Sequence, residues 1–227
     1  MTFTGFPRAA FEFLEGLAAH NSKPWFEAHR SDYEAYYVAP AKLFVEAIGP
    51  KLRRISKTVS FEPRVNGSIF RINRDVRFGK DKTPYKTHLD FWFWEGEKRG
   101  WDAPGFFLRL TPSEMIAGAG MHGFSPAQLA AYRAALVDHK AGAALDKVLA
   151  GIGKLPVGGA NRKSVPRGFD AKHPRAHLLL HEGLHVFRER PLPKTVHSAA
   201  FVEDCLADFR AAAPISKWLM AHVAKAG

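Results

Sequence analysis

Residues 88–95 read His88-Leu89-Asp90-Phe91-Trp92-Phe93-Trp94-Glu95, and this stretch decides the fold class. Leu89, Phe91 and Phe93 alternate with the remaining side chains, which is the two-residue period of a β-strand with two different faces. Further segments of this kind are Ser68–Asn73, Gly105–Thr111 and Glu114–Met121, and turn-forming residues join them. Because no helical pattern separates these segments, the sequence predicts an antiparallel sheet in the middle of the chain.

Helical patterns lie on both sides of these strands. Before them, helices are predicted over Ala9–Ala19 and from Pro24 and Pro40, since proline favours the first helical turn. The elements predicted after them are a helix from Pro126 to about His139, a helix over Ala141–Leu149, a loop over Gly151–Gly168, a strand near Leu184–Arg188, and two helices over Ser198–Ala212 and Pro214–Ala224. The sequence therefore predicts one α+β domain over residues 1–227, with four to six strands packed by N-terminal and C-terminal helices.

The composition narrows the cellular setting and the class of partner. Cys205 is the single cysteine, so the chain cannot form an internal disulfide and fits a reducing compartment. No apolar run approaches the roughly 20 residues that cross a bilayer, and the N-terminal residues lack a secretory pattern, so we expect a cytoplasmic protein without a membrane partner. The formal net charge of +11 favours acidic partners.

The densest group of charges lies between Arg71 and Lys86. The stretch reads RINRDVRFGKDKTPYK and holds six cationic residues against two acidic ones. Arginine offers paired donors to phosphate or carboxylate, lysine adds a compact charge, and Gly79 allows a close approach of the backbone. We therefore predict a site for a small anionic ligand, with Asp75 and Tyr85 as orienting or acid–base groups. Its cationic residues are Arg71, Arg74, Arg77, Lys82 and Lys86.

Two other interpretations of this loop remain open. In one, the chain is a non-enzymatic structural or interaction domain, and ion pairs of Arg74 with Asp75 and of Asp81 with Lys82 make the loop a structural clasp without a ligand. Alternatively, the chain is a nucleic-acid-binding module, in which the aromatic set Phe91–Trp94 and Trp101 stacks on bases. That interpretation requires a basic surface that extends to Lys154, Arg162, Lys163, Arg167, Lys172 and Arg175. The choice between an enzyme and a binding protein stays open, and no cofactor or catalytic residue is assigned.

The segment 71–86 also carries a resemblance to a known family. It is similar to the signature R-I-x-R-D-x-R-F-x-x-D-K-x-P-Y-K of a widespread bacterial and fungal family of unknown function, and it matches every specified position. Further agreement lies in Trp25-Phe26, Gly118-Ala119-Gly120, Gly168-Phe169-Asp170 and Arg190-Pro191-Leu192, so that the resemblance spans nearly the whole chain. It implies an α+β domain and transfers no activity.

The segment His181-Glu182-Gly183-Leu184-His185 matches the zinc motif H-E-x-x-H. On a helix, His181 and His185 would share one face and bind the metal, with Glu203 as a candidate third ligand. Glycine is unfavourable inside a helix, and the residues that follow have a strand pattern. The preferred interpretation is a strand whose histidines partly face solvent.

Residues 118–123 match the dinucleotide pattern G-x-G-x-x-G. A nucleotide site requires a helix that begins directly at the glycines, whereas the helix here is predicted to begin only after Gly123. The glycines are therefore expected to let another backbone or side chain pack against a strand. A further interpretation makes this bend part of a pocket wall, together with His122 and Arg133.

Overall fold

A six-stranded antiparallel sheet forms the centre of the protein. The computed structural model describes residues 1–77, 80–97, 100 and 103–226, so that Gly79 and Trp101 of the predicted sites lie outside the described residues. The strands are β1 (Val59–Ser60), β2 (Leu89–Glu95), β3 (Gly105–Leu110), β4 (Glu114–Met121), β5 (Val157–Ala160) and β6 (His181–Pro191). Their spatial order is β1-β2-β3-β4-β6-β5, and all neighbours are antiparallel. The predicted α+β class is confirmed.

Helices precede and follow the sheet in the chain. The N-terminal ones are α1 (Arg8–Ala19), α2 (Lys23–Ala28), α3 (Arg30–Asp32), a π-helical segment (Tyr33–Val38) and α4 (Ala39–Leu52). The later ones are α5 (Pro126–Val137), α6 (His139–Gly151) and α7 (Phe201–His222), with short 3₁₀ turns at Leu178–Leu180, Lys194–His197 and Ala224–Ala226. Helix α5 begins at Pro126, as predicted, and Ser125 caps it through a reciprocal capping box with Gln128.

The core lies between the sheet and the helices on one face. The predicted alternation is confirmed, because Leu89, Phe91 and Phe93 of β2 are buried on that face. The ring of Phe209 in α7 lies 6.1 Å from Phe93 and 5.4 Å from Phe106. Each of these rings is fully buried, so this face stabilises the fold through large apolar side chains.

Three predicted elements are corrected by the structure. Ser68–Asn73 forms isolated bridges, of Ile69 with Val65 and Phe91 and of Asn73 with Tyr85, and not a continuous strand. The loop predicted over Gly151–Gly168 contains the edge strand β5, which pairs with β6 because that strand has a free edge there. The two closing helices are one helix, α7, that continues through Pro214.

The continuity of α7 has a packing reason. Proline removes a helical hydrogen bond and favours a break. Phe209 before Pro214 and Ile215, Trp218 and Leu219 after it are all buried, so the apolar contacts on both sides hold the two halves together. No helix in the described ranges is both long and apolar enough to cross a membrane.

Candidate functional site

A cavity of about 480 Å³ lies on the face of the sheet opposite the core. Strands β2, β3, β4 and β6 supply its floor, and the segment between β1 and β2 supplies one wall. The lining residues are Phe70, Lys86, Asp90, Phe91, Trp92, Phe107, Leu108, Arg109, Ile116, Gly120, His122, His185 and Phe187. The same strands thus bury their core on one side and leave an open hollow on the other.

The strand register arranges the residues of this face in three rows. The first row is Asp90, Arg109, Ile116 and Glu189; the second is Trp92, Phe107, Gly118 and Phe187; the third is Trp94, Gly105, Gly120 and His185. Successive rows are two residues apart, so the first and third rows are separated by about 13 Å. The cavity therefore has a charged end, an aromatic middle and a histidine end.

Glycines let the rings of the floor lie against the neighbouring strands. A Cβ atom added at Gly105 would lie 2.6 Å from the ring of Trp92, and one at Gly118 would lie 2.6 Å from the ring of Phe107. Since Cβ atoms do not approach ring carbons so closely, only glycine leaves room for these rings. The aromatic side chains consequently form a low floor and leave the space above them open.

The charged end is organised around the carboxylate of Asp90. Arg109 donates two hydrogen bonds to it, from Nε to Oδ1 at 2.7 Å and from Nη2 to Oδ2 at 3.0 Å. Nε2 of His88 lies 3.1 Å from Oδ2, and Nζ of Lys86 lies 3.8 Å from the same oxygen. Lys86 Nζ also lies 4.8 Å from the centre of the Phe70 ring. Three basic side chains therefore share one acid.

This arrangement changes the proton affinities of the groups involved. Burial alone would raise the pKa of Asp90, but the hydrogen bonds from His88 and Arg109 outweigh it and hold the pKa at about 2. The hydrogen bond to Asp90 raises the pKa of Arg109. Burial lowers the pKa of Lys86, an effect that the Asp90 charge only partly offsets. Among the lining residues, Lys86 and Arg109 thus bring two positive charges against the single negative charge of Asp90.

The opposite end of the cavity is formed by two histidines. The rings of His122 and His185 have their centres 5.5 Å apart, and the backbone of Gly158 in β5 lies against the His185 ring. Burial lowers the pKa of His185, and the neighbouring His122 lowers it further. The neutral imidazole of His185 is therefore favoured at neutral pH.

The whole arrangement lies within a segment that matches a described protein family. The profile of DUF2461, a family of conserved hypothetical proteins, matches residues 9–218. The chain belongs to the DUF2461 family. Comparison with curated proteins finds no significant match. The family membership agrees with the resemblance seen in the sequence, and it assigns no ligand.

In this DUF2461 protein, the basic segment 71–86 folds back on itself. Arg74 donates to Asp81 and Thr83, and Arg77 donates two hydrogen bonds to Asp75 at 2.9 and 2.7 Å. Nζ of Lys82 donates to the backbone oxygen of Val76 at 2.8 Å. Three of the predicted ligand-binding cations therefore have partners within the segment itself, as in the clasp interpretation. The ion pairs that the structure describes are Arg74–Asp81 and Arg77–Asp75, instead of the expected Arg74–Asp75 and Asp81–Lys82.

The same segment is closed by its own backbone hydrogen bonds and is anchored to the N-terminal part of the chain. Backbone hydrogen bonds join Arg74 to Pro84 and Lys86 to Ile72, both at 2.8 Å. The side chain of Asn21 bonds the backbone N–H and carbonyl of Tyr85, and the Tyr85 ring stacks on Phe26 at 4.3 Å. These contacts fix the backbone from which Lys86 reaches the cavity.

Of the seven predicted binding residues of this DUF2461 protein, Lys86 is the one that lines the cavity. Arg71, Arg74, Asp75, Arg77, Lys82 and Tyr85 lie outside the cavity lining, and an anion site at those six remains a prediction. The sequence did not predict that Asp90, Arg109 and His185 belong to one site. The available signal was their alternation with aromatic residues on one strand face, in Asp90-x-Trp92, Phe107-x-Arg109 and His185-x-Phe187.

The zinc motif and the first two glycines of the dinucleotide motif lie on strands, as the preferred interpretations predicted, but His181 is buried and does not face solvent as expected. His181 and His185 lie on β6, where four residues of extended chain separate them by about 13 Å, so the helical zinc interpretation is wrong. Glu203 lies on α7 and pairs with Lys51 at 2.7 Å. No group of three metal-binding side chains occurs among the residues that the structure describes. Gly118 and Gly120 lie within β4, where their role is close packing.

The aromatic run of β2 is divided between the two faces of the sheet. Phe91 and Phe93 contribute to the core, and Trp92 lies on the cavity floor. In the wider basic surface, Arg162 pairs with Glu182, and Arg175 pairs with Asp146. Nucleic-acid binding by the DUF2461 chain stays a prediction, to be tested by whether any affinity falls steeply with salt.

Proposed function

We propose that the cavity binds a small molecule that carries one carboxylate or phosphate group on an apolar, partly planar body. The observation that carries the proposal is the charged end of the cavity, where Lys86 and Arg109 face a single acid, Asp90. The excess positive charge stands in a concave, half-buried place, where an anion gains more from it than at an open surface.

Arg109 has the donors that an anionic group needs. Its Nε and Nη2 atoms are engaged by Asp90, whereas Nη1 makes no hydrogen bond with any residue in the described part of the chain. A guanidinium group that is oriented through one edge presents its remaining N–H groups in a defined direction. Asp90 therefore orients Arg109 for a ligand and keeps part of its charge available.

The floor supports the apolar part of the ligand. Trp92 and Phe107 lie over glycines and present ring surface to the cavity, and Phe187 and Ile116 extend this apolar area. A volume of about 480 Å³ falls within the range of roughly 300–1,000 Å³ that is usual for small-molecule sites. The row spacing favours a ligand whose body extends from Arg109 towards His185.

The predicted basic loop enters this proposal as the support of the site. Its internal ion pairs and its anchorage through Asn21 and Tyr85 hold Lys86 at the cavity wall. Arg71 is exposed, and its charge contributes to the lowered pKa of Lys86. The loop thus adds positive potential at the end of the cavity where the anionic group is proposed to bind.

Paired probe compounds test the proposal. We expect 3-phenylpropionate and phenyl phosphate to raise the melting temperature and to change the tryptophan fluorescence, since Trp92 lines the floor. The neutral 3-phenylpropanol has a similar body without the charge and should have a much smaller effect. Arg109→Gln should weaken binding of the anionic probes, and Ile116→Trp should block binding while it keeps all charged groups.

Arg77→Gln is the matched control, because Arg77 is a cation of the basic loop that forms an exposed ion pair with Asp75 and is not among the lining residues. The proposal predicts that this variant binds the probes as the unaltered protein does. It fails if the alcohol binds as well as the acid, or if Arg77→Gln reduces binding as much as Arg109→Gln.

A further inference from the structure

We infer that a second cavity, among the N-terminal helices, binds a small alkylated ammonium ion such as a trimethylammonium compound. This cavity has a volume of about 270 Å³ and shares no lining residue with the cavity on the sheet. Four rings and two carboxylates line it, those of Phe13, Trp25, His29 and Tyr36 and those of Glu12 and Asp32. The inference is independent of the proposed anion site, because its ligand has the opposite charge and binds elsewhere.

Three helical segments each contribute two lining residues that lie four positions apart. These pairs are Ala9 and Phe13 of α1, Trp25 of α2 with His29 after it, and Asp32 of α3 with Tyr36 of the π-helical segment. Residues at this spacing lie on one face of a helix. Each segment therefore turns one face towards the cavity, and carboxylates and rings alternate around it.

The rings are held in place by the protein itself. Trp25 stacks on His29 with ring centres 3.9 Å apart, and Nδ1 of His29 lies 2.8 Å from the backbone oxygen of Trp25. A Cβ atom added at Gly16 would lie 2.8 Å from the Trp25 ring, so α1 supports that ring closely. Phe13 is buried beside Trp25, whereas Tyr36 is 40% exposed. The ring of Tyr36 is therefore available to a ligand.

The carboxylates give this cavity a charge opposite to that of the chain. Glu12 and Asp32 form no ion pair or side-chain hydrogen bond within the part of the chain that the structure describes. No lysine or arginine of that part lines the cavity. The chain has a net charge of +11, so its general field repels cations, and a cation that binds here requires this local negative charge.

Rings combined with carboxylates select an alkylated ammonium ion over a metal ion. A divalent metal needs several oxygen or nitrogen ligands in direct contact, and the described residues contain no group of three such side chains. A quaternary ammonium ion needs no hydrogen-bond acceptor and is attracted by aromatic rings and negative charge. The volume of about 270 Å³ is just below the usual range of roughly 300–1,000 Å³ for small-molecule sites, which fits a compact head group.

Choline and its neutral isostere 3,3-dimethyl-1-butanol test the inference on the full chain. The two compounds have the same shape, with a carbon atom in place of the charged nitrogen, and each has a single strong methyl proton signal for a titration by NMR. We expect choline to bind at least about fivefold more tightly than the alcohol. Equal binding of the two compounds, or no binding of choline, would overturn the inference.

Variants of exposed lining residues locate the site. Tyr36→Ala should weaken choline binding by about two- to fivefold. Glu12→Gln keeps the size of the side chain and should weaken it by about fivefold. Glu34→Gln is the matched control, because Glu34 is an exposed acid of the π-helical segment and does not line the cavity. A loss with Glu34→Gln as large as that with Glu12→Gln would show that choline responds to the general surface charge and would contradict the inference.

Two further measurements separate this site from its alternatives. A peptide with trimethyl-lysine carries the same head group, and tighter binding of that peptide than of choline would overturn the assignment to a free small molecule. Phenyl phosphate should not displace choline, and Arg109→Gln should leave choline binding unchanged, because the proposed anion site lies in the other cavity. Displacement by phenyl phosphate would place both ligands in one site and would contradict the inference.

Discussion

The two faces of the central sheet are built from the same strands and serve opposite purposes. On the core face, Phe93 and Phe106 are fully buried against Phe209 of α7. On the cavity face, the adjacent residues Trp92 and Phe107 lie over glycines and border a hollow. On the core face, large side chains fill the space between the sheet and the helices. On the cavity face, glycines let the rings lie low, and the space above them stays open.

The charges follow the same division. Asp90 and Arg109 lie on the cavity face, and their immediate neighbours Leu89 and Leu110 are buried in the core. A period of two residues therefore separates stability from ligand recognition along each strand. The comparison teaches that large apolar side chains of the cavity face can be truncated with a smaller loss of stability than those of the core face.

The largest expected effect is on the core face. Phe209→Ala should lower the free energy of unfolding by about 3–5 kcal/mol, because it leaves a cavity among buried rings. Phe187→Ala on the cavity face should lower it by about 1 kcal/mol, since that side chain already borders open space. Urea unfolding of both variants measures the difference. Equal losses would show that the cavity face carries as much of the stability as the core.

Replacing a glycine of β4 tests whether the close approach of β4 and β6 requires that residue. Gly120 has a φ angle of +136°, and an added Cβ atom would lie 2.3 Å from the backbone oxygen of Leu184. Gly120→Ala should therefore cost about 3 kcal/mol through backbone strain and displacement of β6.

Gly123→Ala is the control, because nothing lies within 4 Å of the position that its Cβ atom would take. Thermal or urea unfolding should place it within about 0.5 kcal/mol of the unaltered protein. If the two alanine variants were equally stable, the close approach of β4 and β6 would not require glycine.

The half-buried acid of the cavity face should make stability depend on pH. Asp90 has a pKa of about 2 in the folded protein, below its unfolded value of about 3.9. Its contribution is therefore present above about pH 4 and is lost as the pH falls towards 2. The loss amounts to about 2 kcal/mol.

Urea unfolding of Asp90→Asn measures this contribution. The variant should be less stable than the unaltered protein at pH 6, and the difference should shrink towards pH 2. Asp75→Asn provides the comparison, because the Asp75 carboxylate forms an exposed ion pair with Arg77. A difference for Asp90→Asn that did not change with pH would contradict the assigned role of the carboxylate charge.

The smallest effect is expected in the exposed basic loop. Arg77→Gln removes a pair with Asp75 in which both side chains are exposed, and such pairs contribute little to stability. The midpoint of unfolding should not change measurably, and neither should the affinity for the anionic probes. A clear loss of probe binding would move the site from the cavity to the loop and would support the original prediction for Arg71–Lys86.

Much of the fold was predictable because its signals are local. The alternation in Leu89–Glu95 and the Ser125-Pro126 start of α5 each depend on a few neighbouring residues. The prediction was wrong where distant contacts decide the outcome, as at Pro214, where packing holds α7 together. It also missed β5, whose residues become a strand only because β6 offers a free edge.

The candidate site shows the same limit. The sequence marked Lys86 through the density of charge around it, and it marked the glycines of β4 as positions of close packing. It could not combine Lys86 with Arg109 and His185, because those residues meet only through the pairing of β2, β3, β4 and β6. A local pattern states which face a residue takes, but not which distant residue lies beside it.

The amino-acid sequence by itself determined the α+β class, the two faces of the strands and the basic character of the segment 71–86. Only the tertiary structure decided that Arg74 and Arg77 pair within that segment while Lys86 turns to the cavity. The physical reason is that periodicity and turn propensity act between neighbours in the chain. Strand register and charge pairing instead depend on the packing of the whole sheet, which brings Asp90 and Arg109 together across two strands.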